Sequence, residues 1–217
     1  MFSQYDRYTS PSTITFNRAL SKYYVTFAGT TIETTVTDKA ATAFAWVHDI
    51  VSLHGTRSTV VGLDVKWRPH PVPSMSNKSA TLQLCVDNKC LIIQLFYMDE
   101  IPDSIKGFLM NPNFTFVGIE VEGDVLKLKN EYGLDCSSHV DVRAASVDYW
   151  SGKYRKPGLK DLARELCGLY MKKPIHKPKH VCMSNWEARL LNEAQVEYAC
   201  IDAFASYKIG HKLLIEN

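Results

Sequence analysis

A short apolar strand carries the first residues that could do chemistry. The run VVGL at residues 60–63 leads into Asp64, and Lys66 follows two positions later. Because side chains alternate between the two faces of a strand, Asp64 and Lys66 point the same way, about 6.6 Å apart along the strand. A carboxylate on a buried strand costs free energy unless it pairs with a cation or binds a metal ion. Asp64 is therefore expected to have a cationic partner.

Two further acids occupy positions that simple solvation does not explain well. Asp124 follows Gly123 in the first turn of a predicted helix, where an acid can also serve merely to complement the helix dipole. Asp202 lies in the otherwise apolar helical stretch EYACIDAFASY, where an isolated carboxylate would be costly. Tyr198 precedes Asp202 by four residues and shares its helix face, although a tyrosine there is equally compatible with a core position.

Strands and helices alternate around these residues. Hydrophobic periodicity and turn signals predict strands over 23–27, 31–36, 60–67, 81–86, 91–97, 115–119 and 139–142. They predict helices over 38–54, 102–110, 122–132, 159–166 and 192–214, the first with Asp38 as its N-cap. Residues 1–20 are polar and aperiodic and are predicted to form a loose N-terminal arm, followed by one domain over 21–217. This order of elements favours an α/β fold with a mixed sheet flanked by helices.

Composition excludes several classes of protein. With 217 residues, 46% of them hydrophobic, the chain is long enough for one well-buried domain. No stretch approaches membrane-spanning length and the first residues, MFSQYDRYTS, lack a signal-peptide core, so we expect an intracellular protein without a membrane partner. The six cysteines form no C-x-x-C pair, which favours reduced, buried thiols over zinc ligands or disulfides. Neither common glycine-rich phosphate loop is present.

Basic residues concentrate between positions 153 and 180. This segment holds nine lysines and arginines against two acids, a net charge of +7, while the rest of the chain carries −5. A basic segment beside an acidic site suits a ligand with a phosphate backbone, and Lys156 and Lys160 are candidates for contacting it. A solvated lysine-rich loop would have the same composition, so charge alone leaves both interpretations open.

Three motifs connect the acids with a known family. They are GLDVKWRP at 62–69, GIEVEGDVLKL at 118–128 and YACIDAFAS at 198–206, in that order. Together they resemble the DEDD superfamily of 3′–5′ exonucleases, in the subgroup that carries a tyrosine, and most closely the plant Werner syndrome-like exonucleases. The resemblance covers roughly residues 22–214, which is nearly the whole chain.

This resemblance implies a fold, a reaction and a set of site residues. The implied fold is ribonuclease H-like, with a five-stranded mixed sheet flanked by helices. The implied reaction removes nucleotides stepwise from the 3′ end of DNA or RNA with two divalent ions, Mg²⁺ or Mn²⁺. Asp64, Asp124 and Asp202 match the family's metal ligands, and Tyr198 matches the tyrosine that orients the attacking water. A nuclear location is the family expectation.

One position departs from the family pattern. Where the family has a glutamate ligand, this chain has Lys66, so the four side chains carry a formal charge of −2 rather than −4. An ammonium about 4 Å from a unit charge repels it by about 4 kcal/mol at an effective dielectric constant of about 20, and a divalent ion doubles that figure. Each 1.4 kcal/mol is about tenfold in affinity. We therefore expect a 3′–5′ exonuclease with strongly impaired activity.

Three interpretations of Lys66 remain open. In the first, the nuclease is active because Lys66 turns to solvent and Glu120 or Glu122 replaces the missing ligand. In the second, the chain binds nucleic acid without turnover, and Lys66 pairs with Asp64 or Asp124 as an electrostatic replacement for a cation. In the third, the chain is a protein-interaction module and nucleic acid plays no part. Binding that weakens steeply with salt would separate the second interpretation from the third.

Three other residues are weaker candidates for contact with nucleic acid. Trp67 and Arg68 lie near the end of the first motif, and Trp186 precedes the third. An aromatic ring near the cleft can stack on a terminal base. Both tryptophans are also compatible with the core.

Overall fold

An eight-stranded mixed sheet forms the centre of the computed structural model, which describes residues 12–72, 75–147, 156–171 and 179–216. The strands follow the order β1-β2-β3-β6-β5-β4-β7-β8 across the sheet. In chain order they are β1 (Ser12–Asn17), β2 (Lys22–Phe27), β3 (Thr30–Thr37), β4 (Thr59–Trp67), β5 (Ser79–Val86), β6 (Lys89–Ile93), β7 (Phe114–Gly118) and β8 (His139–Asp141). The predicted α/β class with a mixed sheet is thus confirmed.

The family resemblance implied a five-stranded sheet, and this number is wrong because the sheet has eight strands. Strands β1, β2 and β3 form an antiparallel meander that extends the sheet, because β3 pairs in parallel with β6 along residues 33–37 and 89–93. The predicted loose arm is also wrong for residues 12–17, which form β1, while residues 1–11 lie outside the described part. The sequence signal for β1 is weak because it is an edge strand on which only Ser12 and Ile14 are partly buried.

Helices cover both faces of this sheet. They are α1 (Ala40–His54), α2 (Asp103–Leu109), α3 (Val121–Tyr132), α4 (Val142–Ala145), α5 (Leu159–Cys167), α6 (Lys179–Cys182) and α7 (Glu193–Leu214). On one face, α1, α2 and α3 pack over alternate β4 residues, among them Val61 and Leu63. On the other face, α5 and α7 pack over Val60 and its neighbours. This alternation turns Gly62, Asp64 and Lys66 toward α7.

Most predicted elements agree with the structure to within three residues. The strand predicted over 91–97 ends at Ile93, and Leu95–Tyr97 form a 3₁₀ turn. The prediction of Asp38 as the N-cap of α1 is wrong, because the helix begins at Ala40. The Ala40 amide donates to Asp99 Oδ1 at 2.9 Å instead of to Asp38. The six cysteines are free, as predicted, and four of them are buried. No helix within the described ranges is long and apolar enough to cross a membrane.

The backbone of α7 rests directly on β4. A Cβ atom at Gly62 would lie 2.0 Å from the carbonyl oxygen of Ala203 and 2.7 Å from the amide of Tyr207. Only glycine allows this approach without displacing the helix. The close packing brings Asp202, the neighbour of Ala203, beside the end of β4 that carries Asp64 and Lys66.

Candidate active site

One lysine joins two of the predicted site acids. Lys66 Nζ lies 2.9 Å from Asp64 Oδ2 and 2.6 Å from Asp202 Oδ2. The same nitrogen lies over the ring of Tyr198, 4.9 Å from its centroid. The three charged side chains are 11–21% exposed, so the ion pairs are largely shielded from water. We call Asp64, Lys66 and Asp202 the site triad.

Strand and helix periodicity explain why the three triad side chains meet between β4 and α7. Asp64 and Lys66 share one face of β4, and Tyr198 and Asp202 lie one turn apart on α7. Helix α7 begins with a capping box, in which Asn192 Oδ1 accepts from Gln195 N and Gln195 Oε1 accepts from Asn192 N. The site therefore combines a central strand with the capped C-terminal helix that packs on it.

Gln83 is a site residue that the sequence interpretation missed. It lies on β5 directly opposite Asp64, and its amide nitrogen, oriented by its hydrogen-bond partners, donates to Asp64 Oδ2 at 3.2 Å and to the Asp64 carbonyl at 2.7 Å. Its amide oxygen accepts from Thr81 Oγ1 at 2.6 Å. A fully buried glutamine in the apolar strand ATLQLCV was the available signal, because buried polar groups need partners.

Asp124, the third predicted acid, has a different environment. It lies in the first turn of α3, and its side chain makes no hydrogen bond or ion pair with any residue in the described ranges. Burial and the nearby Asp64 carboxylate raise the pKa of Asp124 to about 8. Among the described residues, the Asp124 carboxyl group therefore has no cation to oppose this rise as closely as Lys66 opposes it at Asp64.

The Lys66 ammonium also sets the protonation of its neighbours. Burial raises the pKa of Asp64 to about 6, and Lys66 opposes that rise. Burial would lower the pKa of Lys66, but Asp202 and Asp64 outweigh it and hold that pKa well above its ordinary value. Lys66 is therefore permanently charged at physiological pH.

These residues do not fit the two-metal centre that the motifs imply. The ammonium occupies the space between Asp64 and Asp202, where a cation shared by both carboxylates would lie. Across the described ranges, no group of three or more histidine, cysteine, aspartate or glutamate side chains is arranged to hold a metal ion. The Asp64 and Asp202 carboxylates already have a cation, and it belongs to the chain itself.

Glu120 and Glu122, the predicted replacements for the missing glutamate, lie at the protein surface. Glu120 Oε1 accepts from Arg143 Nη1 at 2.9 Å, and the Glu120 side chain is 75% exposed. Glu122 is also exposed. The interpretation in which one of these glutamates replaces the missing ligand stays a prediction.

The predicted nucleic-acid contacts lie in varied surroundings. Trp67 is half-buried, with Lys127 Nζ 5.4 Å from its ring centroid. Arg68 is exposed and its Nη1 lies 3.9 Å from Glu187 Oε2. Trp186 is 1% exposed, and its indole nitrogen donates to a backbone carbonyl, so it is a core residue.

The basic segment falls largely outside the described residues. Lys156 is exposed ahead of α5, and Lys160 is half-buried in its first turn. The predictions for Lys153, Arg155, Lys172, Lys173, Lys177 and the side chain of Lys179 lie outside the described part. Their role in binding stays a prediction.

Comparison with known proteins decides the family. The model of a 3′–5′ exonuclease family matches residues 39–216, which is most of the chain. The chain belongs to this 3′–5′ exonuclease family. A 3′–5′ exonuclease of Arabidopsis thaliana is 33% identical over 151 residues, which cover 69% of this chain and 50% of that protein. The mouse bifunctional 3′–5′ exonuclease/ATP-dependent helicase WRN is 28% identical over 176 residues, 78% of this chain and 12% of that protein.

Solved structures confirm the predicted ribonuclease H-like fold. Escherichia coli RNase D superposes with a TM-score of 0.66 at 17% identity, over 83% of this chain and 44% of that one. The exonuclease domain of Aedes aegypti Nibbler superposes with a TM-score of 0.65 at 17% identity, over 83% of this chain and 86% of that one. The chain spans half or less of the length of the curated relatives described above.

Proposed function

We propose that this chain engages the 3′ ends of DNA or RNA as a Werner-like 3′–5′ exonuclease domain whose phosphodiester hydrolysis is strongly impaired. The family match supports the nuclease scaffold. The observation that carries the impairment is the position of the Lys66 ammonium, between Asp64 and Asp202. A nuclear location stays a prediction.

The size of the impairment follows from charge. At about 4 Å and an effective dielectric constant of about 20, an ammonium repels a divalent ion by about 8 kcal/mol. Because about 1.4 kcal/mol corresponds to a tenfold change in affinity, the loss amounts to several orders of magnitude. The carboxylate that the family carries at this position is lost as well.

A specific observation favours complete loss of turnover as the second candidate. An ammonium has three hydrogens, and in Lys66 two of them face Asp64 and Asp202 while the Tyr198 ring lies beside the same nitrogen. Asp64 and Asp202, which match two of the family's metal ligands, are therefore both engaged by the ammonium. In this candidate the chain is a nucleic-acid-binding member of an exonuclease family, without hydrolysis.

Degradation of an end-labelled duplex with a recessed 3′ end tests this function. We expect the wild-type chain to leave the strand intact with Mg²⁺ or Mn²⁺ and Lys66→Glu to shorten it at least 100-fold faster. Lys106→Glu, the same charge change at an exposed helix position, is the matched control and should stay inactive. Equal activity of the wild type and Lys66→Glu contradicts the proposed impairment.

Binding is measured separately, by fluorescence anisotropy of a labelled oligonucleotide in EDTA. Contacts with the phosphate backbone weaken as salt rises, so we expect affinity to fall at least tenfold between 50 and 200 mM salt. Affinity that does not change with salt, or no binding at all, contradicts a nucleic-acid partner and favours a protein-interaction role.

A further inference from the structure

We propose that Lys66 is a built-in structural cation, which holds α7 against β4 and makes the fold independent of divalent ions. Removal of the ammonium then leaves Asp64 and Asp202, which match two of the family's metal ligands, open to a divalent ion. This inference rests on the proposed function for the identity of the site, but it concerns stability and cation binding rather than turnover.

The contacts of Lys66 link distant parts of the chain. Lys66 and Asp202 are 136 positions apart, and their ion pair joins the central strand to the C-terminal helix. The Lys66, Asp64 and Asp202 side chains are only 15%, 21% and 11% exposed. Ion pairs as sheltered as these are screened far less than surface pairs. The site triad is thus positioned to contribute to the stability of the α7–β4 interface.

Without the ammonium, the same geometry would place two carboxylates together. Asp64 Oδ2 and Asp202 Oδ2 both lie within 3 Å of one nitrogen, so the two oxygens are at most about 5.5 Å apart. Gln83 donates to Asp64, but a neutral amide cannot balance two negative charges. Hard divalent ions are held by oxygen ligands of this kind, and a glutamate at position 66 would add another. The exclusion of cations therefore depends on the charge of Lys66.

Thermal unfolding in EDTA, Mg²⁺ and Mn²⁺ tests the inference without any measurement of nuclease activity. We expect the Tm of the wild-type chain to change by less than about 1 °C between these conditions. We expect Lys66→Glu to have a lower Tm in EDTA and to gain about 5–10 °C in Mn²⁺ at about 100 times its Kd. Lys66→Met should respond in the same direction but less, and Lys106→Glu should not respond.

The Tm results either support or overturn the role of Lys66 as a structural cation. A wild-type Tm that rises by several degrees with Mn²⁺ overturns it, because the ammonium would then not exclude the ion. An unchanged Tm for both Lys66 variants in Mn²⁺ overturns it as well. If Lys66→Glu cannot fold in EDTA, its recovery in Mn²⁺ supports the inference, and the Lys66→Met response provides an independent check.

The same variants separate this inference from the proposed function. If Lys66→Glu is stabilised by Mn²⁺ but shortens no strand, the structural cation stands and the assignment of a latent nuclease fails. If the wild type leaves the strand intact but neither Lys66 variant is destabilised in EDTA, the proposed impairment stands and the structural inference fails.

Discussion

Two polar networks join α7 to the sheet, and they differ in charge and burial. The first is the site triad, in which Lys66 bridges Asp64 and Asp202. The second lies five residues further along α7, where Tyr207 Oη donates to Asp87 Oδ1 at 2.5 Å and His54 Nε2 lies 3.4 Å from Asp87 Oδ2. Each network contains an aspartate and connects the sheet with α7.

In the second network the cation is the exposed Arg57, which contacts His54 and forms no ion pair with Asp87 among the described residues. Arg57 Nη2 donates to His54 Nδ1 at 2.8 Å, so that nitrogen is an acceptor and the His54 ring is neutral. Burial lowers the pKa of His54 against the opposing effect of Asp87, and Arg57 lowers it further. The Asp87 side chain is 54% exposed and solvated, whereas Asp64 is 21% exposed. The largely buried carboxylates of the site triad therefore need a cation beside them, whereas the solvated Asp87 carboxylate does not.

Replacing Gly62 with alanine should disturb both networks and have the largest effect. The new Cβ would meet the α7 backbone at Ala203 and Tyr207, so the helix must shift away from β4. We expect a loss of at least about 3 kcal/mol in the free energy of unfolding, measured with urea. Gly107→Ala is the matched control, since nothing lies within 4 Å of its added Cβ and alanine favours a helix. A loss below 1 kcal/mol for Gly62→Ala contradicts the close approach.

Replacing Lys66 with methionine should break only the site triad. It leaves two largely buried carboxylates without their cation, and we expect a loss of about 3 kcal/mol in EDTA. Lys106→Met removes an exposed lysine and should change the free energy of unfolding by less than about 0.5 kcal/mol. Equal effects of the two substitutions in chemical denaturation would show that Lys66 is not a structural cation.

Replacing Tyr207 with phenylalanine should affect only the second network. The hydroxyl group is lost from a hydrogen bond to a half-exposed carboxylate, so we expect a loss of about 1 kcal/mol at pH 7. Urea denaturation of Tyr207→Phe and Lys66→Met in parallel ranks the two networks. A greater loss in the free energy of unfolding for Tyr207→Phe than for Lys66→Met would contradict this ranking.

Replacing His54 with glutamine should have the smallest effect, which appears only when stability is measured as a function of pH. Because its pKa is lowered in the folded chain, unfolding takes up a proton below about pH 6.5. Its contribution to stability is therefore complete above that pH and decreases as the pH falls. We expect the stability difference between wild type and His54→Gln to shrink from pH 8 to pH 5.5. A difference that grows on acidification would mean that His54 is charged in the folded chain.

The sequence predicted the members of the site better than their contacts. Asp64, Asp124, Tyr198 and Asp202 were singled out by their positions on predicted elements and received their roles from the motif resemblance. Strand alternation placed Lys66 on the same face as Asp64. The sequence interpretation paired Lys66 with Asp64 or Asp124, whereas the structure pairs it with Asp64 and Asp202. That choice depends on how closely α7 approaches Gly62, and residue spacing does not report this distance.

The second network and strand β1 had weaker signals. Asp87 lies between two predicted strands and Tyr207 within a predicted helix, but a contact across 120 positions leaves no local pattern. Strand β1 shows little hydrophobic alternation because it lies at the edge of the sheet. Local periodicity therefore predicted elements well and predicted contacts between distant elements poorly.

Titration of Mn²⁺, followed by electron paramagnetic resonance of the free ion, tests the central claim most directly. The wild-type chain and Lys66→Glu would be titrated at equal concentration, with Lys106→Glu as the charge control. If Lys66 takes the place of the cation, the wild type leaves millimolar Mn²⁺ free, and Lys66→Glu removes at least one ion per chain from solution. Tight binding of Mn²⁺ by the wild-type chain, at the same stoichiometry as Lys66→Glu, would contradict the claim.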